Sequence, residues 1–389
     1  MLEEAFEIRL SLRPVLMHLV EFKRCREVLE EAEALATRLD DDSRRARVGA
    51  FLTNIHTRLD DPDTGLVHGH RSLEIAERLG DLRLRILATS FLGQAHFCRG
   101  EYTKAVELAT ANLAALPPNW VHELFGSRQL PALNDRFRLI VSLAHLGRFA
   151  ETPPHEAEVI RLAEGMQYPY WRALAYQTTG QVHYLKGDWK KAHELIDRQI
   201  EVLRTANIAD DLPHALAYSA RCLARLGDAS EALSRLREAQ RLLADQTSGR
   251  QTGTGYIHEL LGRACLDLGL VDEAERLAER AAAPTLSRVD FVPFRLKLLG
   301  DVRTRPDRFD AERGEAHYRA ALALAESRGM RPLVAHCHLG LGQLYRRSGH
   351  GDRAHEHFAI ATTMFRDMEM SGWLAQADSE LNELSLRES

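Results

Sequence analysis

The chain has 389 residues, 45% of them hydrophobic and 28% charged, and a formal net charge of −5. That composition is globular and excludes a disordered chain, and the mild acidity gives no general drive toward nucleic acid or an anionic membrane. Ala, Leu, Arg and Glu dominate and β-branched residues are sparse, so an all-α fold is expected.

The chain opens on "MLEEAFEIRL", which is acidic and amphipathic and unlike a signal peptide. No apolar run approaches the ~20 residues of a membrane span. A cytoplasmic protein with no membrane partner is expected. The five cysteines (Cys25, Cys98, Cys222, Cys265, Cys337) are odd in number and form no CxxC pair. They read as reduced, buried thiols.

Continuing along the chain, "LGQAHFCRGEYTKAVELA" (Leu92 to Ala109) returns as "TGQVHYLKGDWKKAHELI" (Thr179 to Ile196) and as "LGQLYRRSGHGDRAHEHF" (Leu341 to Phe358). A small residue marks the same place in each copy and in six further segments. In order these are Cys25, Gly65, Ala105, Thr152, Ala192, Ala232, Ala274, Gly314 and Ala354, in steps of 40, 40, 47, 40, 40, 42, 40 and 40. Seven residues beyond each marker the residue is mostly small again. Before the marker stands a turn glycine at Gly100, Gly147, Gly187, Gly227, Gly269 and Gly349. Two residues after the turn an aromatic often follows: Phe22, Tyr102, Phe149, Trp189 and Phe309. Glycine past a helix end supplies a left-handed cap, and small residues let neighbouring helices approach. The expectation is a right-handed superhelical solenoid of about nine helix hairpins, the aromatic plugging each one. A helix from about Gly372 to Leu386 should cap the last apolar face.

Three places break the pattern. Asp60 to Asp63 replaces the turn glycine of the second copy, and Pro153 and Pro154 fall where a helix should begin. "ALPPNWVHELFGSRQLPALND" (Ala115 to Asp135) accounts for the 47-residue step, with three prolines interrupting helix. Its Trp120 and Phe125 are expected to pack over a hairpin junction, the alternative being a lid on a groove. "ADQTSGRQTGTG" (Ala244 to Gly255) reads as a linker and hinge. An N-terminal arm over 1–243 and a C-terminal arm over 256–389 follow from it.

The repeat resembles the tetratricopeptide repeat. That family's first-helix positions correspond here to Leu92, Gly93 and His96, to Gly180 and His183, and to Leu341, Gly342 and Tyr345. Its second-helix positions correspond to Gly314 and Tyr318, and to Ala354 and Phe358. The ~40-residue step implies longer helices than the 34-residue standard. Leu12 to Ala36 and Ala359 to Leu384 also resemble the flanks of the region C-terminal to the ATPase in bacterial class III adenylate cyclases and related signal-transduction ATPases. That resemblance implies a sensor or scaffold acting with an ATPase or cyclase module.

The residues point away from chemistry. No P-loop, GxSxG, HExxH or GxGxxG motif occurs, so no enzyme, no catalytic residue and no cofactor are expected. His336-Cys337-His338 and His355-Glu356-His357 do not chelate one metal within a helix, because residues two apart point to opposite sides. One His from each could still meet. "DDPDTG" (Asp60 to Gly65) lacks the spacing of a calcium loop and reads as a polar turn. No metal site is expected.

The resemblance implies that a concave inner face is lined by first-helix positions, the ninth of which falls at Asn54, Gln94, Val141, Gln181, Arg221, Arg263, Asp301 and Gln343. Amides and arginines recurring at one position suit a peptide backbone or a carboxylate. The expected groove site is Gln177, Gln181, Tyr184, Arg221, Arg225, Tyr256, Glu259 and Arg263. Glu259 and Asp301 are the expected counter-ions, and a salt-bridge ladder without a ligand is the competing reading. The partner expected is a protein or peptide, with a small-molecule sensor or a dimerising scaffold (a homodimer) as alternatives.

Overall fold

The computed structural model describes all residues except 128–129, 246–254, 282–288 and 389, and the side chains of 385–388. The described residues contain α-helices, short 3₁₀ turns and no strand. In chain order these are α1 (Leu2–His18), α2 (Phe22–Arg38), α3 (Asp42–Arg58), α4 (Pro62–Leu79), α5 (Leu82–Arg99), α6 (Tyr102–Ala115), α7 (Pro131–His145), α8 (Pro153–Glu164), α9 (Pro169–Lys186) and α10 (Trp189–Thr205). They continue with α11 (Leu212–Leu226), α12 (Ala229–Asp245), α13 (Gly255–Asp267), α14 (Val271–Arg280), α15 (Val292–Arg303), α16 (Ala311–Ser327), α17 (Arg331–Arg347), α18 (Gly351–Asp367) and α19 (Ser371–Glu388). Consecutive helices pack together from α1 to α6 and from α8 to α19, and each odd-numbered helix from α9 to α15 also touches the next odd one.

The small-residue markers explain the stacking. All nine, from Cys25 to Ala354, are buried, as are the residues seven positions on. The turn glycines Gly100, Gly147, Gly187, Gly227, Gly269 and Gly349 all adopt positive φ. Where the sequence lacks glycine, other residues hold the left-handed turn: Val20 at φ 60, Asp40 at 51, Asp60 at 63 and Asn207 at 54. Asp61 then caps α4 by accepting the Thr64 amide at 3.2 Å, so "DDPDTG" is a polar turn and a helix start. Pro153 opens α8 without a break, because a first-turn residue has no intrahelical partner to lose.

The aromatic plug holds at Tyr102 and Phe149, both buried. It fails at Phe309, which is 39% exposed. Trp189 is only half-buried, and its ring meets Tyr184 and Trp373 instead of sealing a hairpin. The tightest plug is one the turn pattern does not mark. Tyr318 of α16 is fully buried between Gly300 of α15 and Gly340 of α17, where any Cβ would overlap its ring.

Contacts divide the chain into two compact units, one of Met1–Ser142 and one beginning at Leu143. The hinge expected at 244–255 falls on 246–254, outside the described residues. In the first unit a core of Phe6, Leu29, Phe51, Leu52, Ile55 and Phe91 runs through α1 to α5. Residues 116–130 of the irregular segment hold only one 3₁₀ turn, Pro118–Trp120, among those described. Trp120 and Phe125 meet edge to face at 5.8 Å, with the Arg83 guanidinium of α5 lying 4.2 Å from the Trp120 ring centre. Packing on α5 is thus what these two aromatics do.

In the second unit the core runs from Ala173 to Val302. Here the last helices return to the first ones. The start of α19 sits against the end of α9: a Cβ on Gly187, at φ 85, would overlap the Trp373 indole. Nearby, Lys186 pairs with Glu369 at 3.5 Å. Gly147 likewise faces Met368 and Arg331, and His145 lies 5.6 Å from Phe294. The first-helix side chains of this unit therefore look into a shared interior.

Candidate functional site

The interior of the second unit holds a cavity of about 220 Å³, bounded by side chains of α11, α13, α15, α17 and α19, the turn after α15, and Tyr318 of α16. Arg221 and Arg225, one helical turn apart on α11, both line it. Arg221 is 8% exposed. Its Nε donates to Asp267 Oδ2 at 3.0 Å and its Nη1 to the Tyr184 hydroxyl at 2.8 Å. Burial opposes the Arg221 charge, but Tyr184 and Asp267 outweigh it and raise its pKa. Arg225 shares Asp267 at 3.6 Å, donates to Gln376 of α19 at 3.4 Å, and lies over the rings of Trp189 and Trp373.

The expected groove residues divide into three groups. Tyr184, Arg221 and Arg225 come together around Asp267. Arg263 pairs with Glu259, as expected from their i, i+4 spacing, and reaches Phe294. Tyr256 lies away from the cavity, stacked on Phe291 at 4.8 Å and edge-on to His214. Gln177 accepts from Gln199 at 3.3 Å, and Gln181 donates to the Tyr218 hydroxyl at 3.1 Å.

One counter-ion expectation needs correction. Asp301 does not neutralise the arginines of α11; it binds Lys297 and accepts from the Tyr318 hydroxyl at 2.9 Å. Asp267 takes the role instead. It lies one turn beyond Arg263, so the ninth-position register missed it by one turn. The sequence reading also missed Trp373, Gln376 and Glu380, because α19 was read only as a cap. Glu380 accepts from Gln343 at 2.7 Å and pairs with Arg346 at 2.5 Å.

Much of the recurring ninth position is thus a hydrogen-bonded ladder. Asn54 donates to Gln94 at 2.8 Å in the first unit in the same manner. Some interior groups make no hydrogen bond to the protein: Gln181 Oε1, Arg263 Nη2 and Trp373 Nε1.

The two histidine clusters do meet, with His338 Nδ1 and His357 Nδ1 2.8 Å apart. His336, two residues earlier, points elsewhere, edge-on to Trp373 at 4.4 Å. Among the described residues no three His, Cys, Asp or Glu side chains are arranged to hold a metal ion. Burial pushes the Cys222, Cys265 and Cys337 thiols up to about 12, so these are inert packing groups. Burial also holds His145 at about 3 and His258 and His338 at about 4, below the ordinary 6.5. The unfolded chain therefore binds more protons than the folded one below pH 6.5. Stability is full above that value and is lost as pH falls from 6.5 toward 4. Urea unfolding at pH 7.5, 6, 5 and 4.5 should show a steadily falling midpoint. His338→Gln should flatten part of the fall; a profile unchanged by that substitution would place the acid sensitivity elsewhere.

Helix hairpins at a 40-residue step make the fold a tetratricopeptide-repeat-like solenoid. Residues 255–280 match the family profile of the tetratricopeptide repeat. Among solved structures, a Rap protein complexed with competence and sporulation factor aligns over 98% of this chain and 99% of its own, at 14% identity and a TM-score of 0.65. NprR in complex with its cognate peptide NprX aligns over 82% of this chain and 88% of its own, at 14% identity and 0.58. A Signal Transduction ATPase with Numerous Domains protein with a tetratricopeptide repeat sensor, from Pyrococcus horikoshii, aligns over 98% of this chain but 54% of its own, at 15% identity and 0.51. At these identities the likeness is one of fold. No curated protein matches the sequence significantly. No helix among the described residues is long and apolar enough to cross a membrane.

Proposed function

We propose that the chain is a non-catalytic regulatory module whose second unit takes a short peptide segment on its inner face. The observation that carries this reading is the interior cavity, lined by hydrogen-bonding heads on successive first helices. Gln181, Arg263 and Trp373 each keep one buried polar atom without a protein partner. Such groups are costly unless something satisfies them, and a peptide backbone supplies both donors and acceptors. The fold is shared with a Rap conjugation gene regulator solved in complex with the Phr* peptide and with NprR solved with its cognate peptide NprX. A bacterial signalling role, with occupancy relayed to an ATPase or cyclase module, is the context the sequence suggests, and co-purification with such a module tests it.

The direct test is a thermal-shift screen of short peptides followed by calorimetry. A peptide at 100 times its Kd should stabilise the fold by about 2.7 kcal/mol. Arg225→Ala should then weaken binding at least tenfold, because its guanidinium lines the cavity. A screen in which metabolites shift the melting temperature and peptides do not would replace this reading with a small-molecule sensor. Self-association without any ligand effect would replace it with a scaffold.

A further inference from the structure

The charge balance of the cavity singles out one kind of ligand group. Six basic side chains line it: Arg221, Arg225, Lys297, Arg305, Arg346 and Arg347. Only three carboxylates do so, Asp267, Asp301 and Glu380. Each is already committed: Asp267 is divided between two guanidiniums, Asp301 holds Lys297, and Glu380 holds Arg346. Arg305 has no carboxylate partner among the described residues; its guanidinium donates to the Leu266 carbonyl. Arg347, exposed at the end of α17, has none either. Trp373, 7% exposed, lines the same cavity.

We infer that this cavity is a binding site for a multiply charged oxyanion of the phosphate-monoester class, held by Arg305 with Arg225 and Arg347. Guanidinium forks match such an oxyanion bidentately. Low-dielectric walls of Leu266, Leu339 and Trp373 strengthen the attraction over its value in water. The neighbouring His336 registers the same field: burial first, then Lys297, Arg263, Arg221 and Arg225, hold it well below the usual histidine range. The inference deepens the peptide reading by naming the ligand's charged group, and it also stands without a peptide.

The test is calorimetry and thermal shift on the full chain with three probes: inorganic phosphate, a short phosphoserine peptide, and the same peptide unphosphorylated. Phosphate should raise the melting temperature saturably, beyond chloride at equal ionic strength. Arg305→Gln should weaken phosphate at least tenfold while the phosphate-free melting temperature changes little. Arg347→Gln, on the surface, supplies a second reading if Arg305→Gln fails to fold. A phosphopeptide binding at least tenfold tighter than free phosphate identifies a peptide-borne group, and equal affinities identify a free small dianion. The site is refuted if neither phosphate nor phosphopeptide binds beyond the chloride control, or if both variants bind as the parent does. An unphosphorylated peptide that binds while neither phosphate nor phosphopeptide shows binding beyond it upholds the peptide reading and sinks the anion site. Phosphate that binds where no peptide does has the opposite meaning.

Discussion

Asp135→Ala should destabilise the first unit by about 3–5 kcal/mol, the range for breaking a buried ion pair by removing its acid. Asp135 and Arg138 are 2% and 4% exposed. The carboxylate accepts from Arg138 at 2.8 Å, from Ser90 at 2.7 Å and from Asn112 at 2.6 Å. It thereby ties α5, α6 and α7 together. Asn112 stands at a place in the repeat that is mostly filled by small residues, and the carboxylate is what its amide meets. Alanine would leave the guanidinium charged and buried, and Ser90 and Asn112 without their shared acceptor. Asp135→Asn keeps an acceptor oxygen and should cost less. Urea unfolding followed by circular dichroism measures both. A loss under about 1 kcal/mol for alanine would mean that water reaches Arg138.

Asp267→Asn should act in two opposite directions. It removes the shared counter-ion of Arg221 and Arg225, so the ligand-free protein should lose about 3 kcal/mol. Tyr184 still accepts from Arg221, which keeps the loss below that of a fully orphaned charge. The same substitution adds one net positive charge to the cavity, so phosphate should bind at least tenfold tighter. Added phosphate should recover much of the lost melting temperature in the variant and far less in the parent. Loss of stability without phosphate rescue would assign the arginines a purely structural role.

How much of this was legible in the sequence varies by element. The hairpins were legible because their signals are local: a 3.6-residue apolar period, a turn glycine, and a small residue at a fixed offset. The turn at Asp60 was harder, because only the folded backbone reveals a non-glycine residue held at positive φ. Trp189 carried the plug signature yet became part of the Trp373 contact, since its surroundings are set by a helix distant in sequence.

An all-helical repeat, its step, its turn caps and the i, i+4 pair of Glu259 and Arg263 are written in the order of the residues. Each of these depends on residues within one or two helices of each other. Which acid neutralises which arginine, and that α19 reaches Arg225 across 151 residues of sequence, are settled by long-range packing. Those outcomes depend on the small rotation between successive hairpins, summed over the unit. No local pattern encodes that sum. It brings Gly187 under Trp373, closes the interior, and leaves Arg305 there without a carboxylate partner.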